Sequence, residues 1–390
     1  MTRWLQLTKA GGLAVGAVAA GAGVVIAAEK IAVGRLRLRP DPAANEPLGQ
    51  LRDQSLTVLA DDGVPLHVEI SGPDDAPVTI VFSHGYTLSQ DVWHYQRQAL
   101  GQARLVFWDQ RGHGRSGHGD PEHSTIDQLG ADLQAVLAAT MPAGGRVLLV
   151  GHSMGGMTIM ALAARQPRLF GPRPDSPDGP DGPGRPDGPG TPDGPGTLDG
   201  PGTPGVPDGP APGGLKVAGT VLIATAASGV DPARWLPAPL RLVARQAAPV
   251  VLRTVSRGRL AAVIERSRQA AGDVAFLSTR YMAFGDSGVS PAIVDFLERI
   301  IRATPVDVVA EFFVALAAHD KEAALATLGA VPCTVLTGDR DRLIPARRSG
   351  ELAAHIPGAE LILVPGAGHL VILERPEAVN AAITALLARI

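Results

Sequence analysis

A hydroxyl, an imidazole and two carboxylates with the makings of a nucleophile stand far apart in this sequence: Ser153, His369, Asp339 and Asp341. A serine hydroxyl attacks a carbonyl only when a base removes its proton. The base works best when a carboxylate fixes its tautomer and balances the imidazolium charge. Ser153 is the centre of Gly151-His152-Ser153-Met154-Gly155, between the apolar runs "RVLLV" and "MTIMALAA". That pattern predicts a strand, a sharp turn and a helix. Glycine on both sides is required because a side chain there would strike the neighbouring strand or helix. The helix N-terminus then offers positive partial charge to an anionic intermediate. The other reading of the same residues is a glycine-rich turn with no chemistry.

The candidate base is His369, in "VPGAGHLVILERP" just past the last predicted strand. His84 and His113 follow strands and could reach the same rim, and His152 adjoins the serine. The acid comes from "LTGDRDRLIP", where Asp339 and Asp341 both follow a strand and both could be ordinary turn residues. Serine, acid and histidine then fall in that order, each after a strand. Three loops at the carboxyl ends of parallel strands share one rim, where sites in such sheets lie. A developing oxyanion needs donors too. The backbone N–H groups of Tyr86, in "FSHGYT", and of Met154 are the candidates; losing one such donor costs about a hundred- to a thousandfold in rate.

These residues need a frame. "SLTVLADDGVPLHVEI" (55–70) reads as a hairpin turning at Asp62-Gly63. "VTIVFSHG" (78–85) and "ARLVFWDQRG" (103–112) read as buried strands, with a helix in "QDVWHYQRQALG" between them. Ser124 and Asp127 are expected to cap a helix in "STIDQLGADLQAVLAAT". "RVLLV" and "VAGTVLIAT" (217–225) add strands, as do "CTVLTG" (333–338) and "AELILV" (359–364), and a helix closes the chain. Strands alternating with helices imply a mostly parallel sheet covered on both faces. Between about Gly229 and Gly329 the alternation stops and the pattern is helical, with Phe276, Tyr281, Phe284, Phe296, Phe312 and Phe313 on apolar faces. Such a block is a lid placed over a site.

Composition bounds the rest. The 390 residues are 45% hydrophobic and 19% charged, with a net charge of -3. That suits a globular core and gives no basic surplus for a nucleic-acid partner. Cys333 is the sole cysteine, so no intramolecular disulfide and no cysteine metal site can form. In "VPCTVL" it reads as a small core residue. Ala10 to Ala28 carries no charge and is long enough to cross a bilayer. We read it as an uncleaved membrane anchor, which makes the protein membrane-associated. A secretory signal (an exported protein) and a surface arm (a cytoplasmic one) are the other readings. Basic residues flank both ends, so charge does not choose a membrane face. Residues 171–214, dominated by Pro, Gly and Asp, cannot bury enough surface to offset the entropy of ordering and read as a disordered insertion. Glycine is not kept at every third place, which excludes a collagen helix. The chain thus divides into an N-terminal segment and linker (1–50), a first core part (51–170), the insertion (171–214), a core strand (215–228), a helical cap (229–329) and a last core part (330–390).

Taken together, "HGY" (84–86), "DQRGHGRS" (109–116), "GHSMGG" (151–156), "GDRDRLIP" (338–345) and "GAGH" (366–369) resemble the α/β-hydrolase fold superfamily, in its group of lidded serine esterases, lipases and cofactor-free haloperoxidase-like enzymes. The resemblance spans about Ser55 to Ile390 without the insertion. It implies a mostly parallel sheet flanked by helices, with a helical cap inserted before the last two strands. In that group the acid stands four residues before the proline of a G-x-x-D-x-x-x-P run, which selects Asp341. "DQRGHGRS" is similar to a structural turn, so Asp109 and His113 receive no catalytic role. Epoxide hydrolases and haloalkane dehalogenases carry aspartate where Ser153 stands, which argues against both. "GHSMGG" occurs in monoacylglycerol lipases, but "HGYTLSQDVW" does not match their usual oxyanion loop. The expectation is a serine hydrolase cleaving a moderately hydrophobic carboxylic ester through an acyl-enzyme, with no metal or organic cofactor. Perhydrolysis or acyl transfer by the same triad, and a non-catalytic ligand-binding or scaffold module, are the rival readings.

Overall fold

Apolar runs without a polar face become strands covered on both sides. In the computed structural model, which describes residues 33–34, 40–171, 214–235, 272–286 and 288–390, these runs form the interior of one eight-stranded sheet. Its strands are β1 (Gln54–Leu59), β2 (Pro65–Ser71), β3 (Thr79–Ser83), β4 (Arg104–Trp108), β5 (Arg146–His152), β6 (Lys216–Ile223), β7 (Cys333–Gly338) and β8 (Glu360–Val364). They lie in the order β1-β2-β4-β3-β5-β6-β7-β8. β1 and β2 pair as an antiparallel hairpin and β2 runs antiparallel to β4; the remaining pairings are parallel.

The two-residue period of a strand divides the core. Ile80, Phe82, Leu148 and Val150 point into one apolar cluster, while Val81, Val147 and Leu149 point into another across the sheet. Helices α1 (His94–Ala99), α2 (Ile126–Thr140) and α3 (Met154–Arg165) follow β3, β4 and β5. The cap contributes α4 (Gly272–Ala283), α5 (Pro291–Ala303) and α6 (Val306–Ala317), and a short α7 (Leu325–Leu328) leads into β7. Helix α8 (Ala346–His355) joins β7 to β8; α9 (Val371–Glu374) and α10 (Pro376–Leu387) end the chain. Val379 and Ile383 of α10 seal the first cluster, and Val136 of α2 with Ile159 of α3 seal the second. The cap stands between β6 and β7, before the last two strands, as the sequence pattern implies. It is not a self-contained layer: Phe276, Phe284 and Phe296 are buried in the cluster that contains Phe82 and Val150.

Three expectations need correction or placement. Thr125, not Ser124, caps α2, accepting the Gln128 N–H at 3.1 Å; the helix begins at Ile126, so only residue 125 has the extended backbone and reach of a cap. Ser124 instead donates to Glu311 at 2.7 Å. Tyr281 is 64% exposed rather than on an apolar face, with the Arg342 guanidinium 4.4 Å from its ring centre. The Ala10 to Ala28 segment and nearly all of 171–214 lie outside the described residues, and among the described residues no helix is long and apolar enough to cross a membrane. Cys333 is buried on β7, and burial pushes its thiol up to about 11.

The loop after β4 is anchored by a buried cation. Arg111 is 1% exposed and donates through Nε and Nη2 to both oxygens of Asp132 on α2, at 2.7 and 2.6 Å. It also reaches Asp62, in the β1–β2 turn, at 2.7 Å. The guanidinium holds the Asp62 carboxyl well below the usual range, while burial pushes that of Asp132 up. Removing one partner of a buried pair strands the other's charge, whereas replacing both by apolar groups need not. Arg111→Met should therefore cost about 3–5 kcal/mol in urea unfolding at pH 7. Adding Asp132→Leu should recover most of that loss.

Candidate active site

Between β5 and α3 a single residue makes the turn. Ser153 has φ 53°, in the left-handed region that a side chain occupies at a cost of about 1–3 kcal/mol unless the surroundings enforce it. They do. Its N–H donates to the Ile223 carbonyl at 2.8 Å, and its own carbonyl accepts from the Thr225 hydroxyl at 2.8 Å. A Cβ on Gly155 would stand 2.0 Å from the Ser83 carbonyl oxygen, and one on Gly151 would stand 2.5 Å from that of Gly155. The two glycines of the motif are thus fixed by close backbone approach.

The histidine and the acid meet. His369 Nδ1 lies 2.7 Å from Asp341 Oδ2, and the carboxylate's other oxygen accepts the N–H groups of Leu343 and Ile344 at 2.8 and 2.9 Å. A carboxylate so satisfied is an acceptor, so Nδ1 carries the proton and Nε2 is left as the basic nitrogen. Asp339 points elsewhere: it accepts the Gly366 N–H at 2.7 Å and braces the histidine loop. Both His369 and Asp341 are nearly buried, at 5% and 6% exposure.

Ser153 and His369 line one cavity of about 260 Å³. Among the described contacts no hydrogen bond joins them; such bonds are often loose without substrate. Tyr86 lines the same cavity, and its hydroxyl donates to the Val309 carbonyl of α6. Met154 opens α3, where the early N–H groups have no partner within the helix. Leu88, Met282, Leu297, Ile301, Leu343 and Leu370 make the wall largely apolar.

The other candidate imidazoles are held as neutral struts. His84 donates from Nδ1 to the Gly85 carbonyl at 2.8 Å and accepts the Gln110 N–H on Nε2 at 3.0 Å; burial takes its pKa down to about 4. His113 donates to the Arg111 carbonyl at 2.9 Å, and burial takes it down to about 3. His152 donates from Nε2 to the His369 carbonyl at 3.0 Å, with its pKa pushed well down by burial. Asp109 is spent on backbone N–H groups, of Gln90 at 2.7 Å and Arg115 at 3.0 Å. Sequence reasoning missed two groups: the cap residues that wall the cavity, and Glu374, a lone carboxylate in the apolar run "HLVILE" whose setting was the available signal. Among the described residues no three His, Cys, Asp or Glu side chains are grouped to hold a metal.

The comparisons with known proteins agree with this frame. The profile of the Alpha/beta hydrolase family matches residues 80–382. The chain is 36% identical over 117 residues to 3-oxoadipate enol-lactonase 1 of Acinetobacter baylyi, covering 30% of this chain and 42% of that protein. It is 33% identical over 129 residues to the monoacylglycerol lipase of Mycolicibacterium smegmatis, covering 30% of this chain and 46% of that protein. The matched stretch therefore spans less than half the length of each relative. Among solved structures, the enol-lactonase of Burkholderia xenovorans superposes with a TM-score of 0.58 at 21% identity, covering 85% of this chain and 100% of that one. A thermophilic esterase from Thermogutta terrifontis gives 0.56 at 21% identity, covering 86% and 98%; at such identities the likeness is one of fold. With the eight-stranded sheet, the cap before its last two strands and the profile match across most of its length, the chain belongs to the alpha/beta hydrolase family.

Proposed function

We propose that the protein is a serine hydrolase that cleaves carboxylic esters through an acyl-enzyme on Ser153. The observation that carries this reading is the geometry around one cavity: a serine held at positive φ and an imidazole whose Nδ1 is tied to Asp341 at 2.7 Å both line it. With Nδ1 donating, Nε2 is free to take the serine proton as Oγ bonds to the ester carbonyl carbon. The negative charge then sits on the carbonyl oxygen, for which the N–H groups of Met154 and Tyr86 are the donors we assign. Collapse breaks the bond to the alcohol, which leaves with the proton from Nε2. Water, deprotonated by the same nitrogen, releases the acid and restores the hydroxyl.

The apolar wall supports a moderately hydrophobic acyl or alcohol group. Relatives named as a lipase and a lactonase support the same bond type. The acid is assigned to Asp341 because it alone of the two aspartates faces the imidazole.

Ser153→Ala should lower p-nitrophenyl ester turnover by about four to six orders of magnitude, with the unfolding temperature little changed. Labelling by a fluorophosphonate should map to the peptide that contains Ser153; turnover undiminished in the variant would sink the assignment. Asp341→Asn should cost about 10⁴ in kcat by releasing the wrong tautomer, and Asp339→Asn much less. The reverse ranking would move the acid. Peroxide or an alcohol added to the same assay would reveal perhydrolysis or acyl transfer as the faster reaction, if either is the true one.

A further inference from the structure

Glu374 closes α9, five positions after His369, and is 7% exposed. Its carboxylate is met by backbone. Gly285 N–H lies 3.1 Å from each oxygen, Asp286 N–H 2.7 Å from Oε1 and Gly368 N–H 2.6 Å from Oε2. Gly285 and Asp286 follow α4 of the cap, whereas Gly368 immediately precedes His369. The carboxylate therefore does not cap one element; it joins two. Charge-assisted bonds of this kind are roughly twice as strong as neutral ones.

The residue on the other side of His369 is tied to the same place, since Leu370 N–H donates to the Ala283 carbonyl at 2.9 Å. The two backbones approach so closely that a Cβ on Gly368 would stand 2.4 Å from Gly285 N. The acid loop is held there as well: Arg342 donates to the carbonyls of Tyr281 and Phe284, both at 2.7 Å. The end of α4 thus grips the histidine loop on both flanks of the imidazole. The same helix lends Ser278, Thr279 and Met282 to the cavity wall.

We propose that Glu374 is a positioning residue for the reaction, setting the His369 imidazole against Ser153 by fastening the histidine loop to the cap. The proposal rests on the reading of Ser153 and His369 given above. Glu374 does not touch the reacting atoms; it acts through Gly368 and the loop. A displacement of about 1 Å in a catalytic group costs about a hundredfold in rate, and Glu374→Gln turns one of the two acceptor oxygens into a donor that opposes the N–H groups facing it.

The test is steady-state hydrolysis of a p-nitrophenyl ester by the full chain, with circular dichroism melts of each variant. Glu374→Gln should lower kcat about ten- to a hundredfold with KM little changed. Glu374→Asp, which keeps the charge on a shorter stem, should restore part of kcat. Fluorophosphonate labelling should slow in parallel with kcat. Wild-type kcat in folded Glu374→Gln would overturn the proposal, as would a loss of rate matched by loss of folded protein. If neither variant folds, Glu374 belongs to stability and the proposal falls. Full turnover in Ser153→Ala would remove the reading beneath it, and that failure shows in a different variant.

Discussion

The turn at Ser153 is the constraint on which the molecule is built. A side chain at φ 53° relaxes out of that region unless its neighbours forbid it, and here they come from both sides. β5 lies between β3 and β6, bonded to each along its length. The end of β6 holds the serine N–H through Ile223, and the end of β3 presses the Ser83 carbonyl against Gly155. The strain is therefore secured by interior strands of the sheet, β3 and β6, on either side of β5. A site mounted on such elements keeps its geometry better than one carried by loops alone. Asp341 and His369 do stand on loops, but those loops are braced by Asp339, by the Arg340 N–H bonded to the Ala367 carbonyl at 2.9 Å, and by Glu374.

Burial sorts the histidines. His84, His113 and His152 are enclosed, bonded to backbone carbonyls, and pushed toward neutrality by the loss of water around them. Such rings are donors of fixed direction. His369 differs in having a carboxylate on Nδ1 and a cavity before it. What sets His369 apart is thus the partner of one nitrogen rather than proximity to the serine, since His152 is adjacent in sequence and still faces the His369 carbonyl.

Much of this could be read from the chain. Strands such as "TIVFS" and "CTVLTG" declare themselves because burial on both faces excludes charge and favours apolar and β-branched residues. The Gly-x-Ser-x-Gly turn is legible because steric exclusion leaves glycine as the only residue that fits. What could not be read depends on distance in space. The choice of Thr125 over Ser124 turns on one residue of helix phase, and Tyr281 looks apolar until the exposed side of α4 is known. Glu374 stands out as a carboxylate in an apolar run, but what it ties could not be read, because its partners are the backbone N–H groups of Gly285, Asp286 and Gly368, which carry no signature in the residue alphabet.

Cys333 lies sealed within β7, with a thiol raised to about 11, so at neutral pH it stays protonated and out of reach of maleimides or mild oxidants. Since no other cysteine exists in the 390 residues, the natural sequence is already a silent background for site-directed spectroscopy. A fluorophore or spin label introduced at a single exposed position on the cap, and another on the sheet, would report the distance between those two positions without any native thiol having to be engineered away.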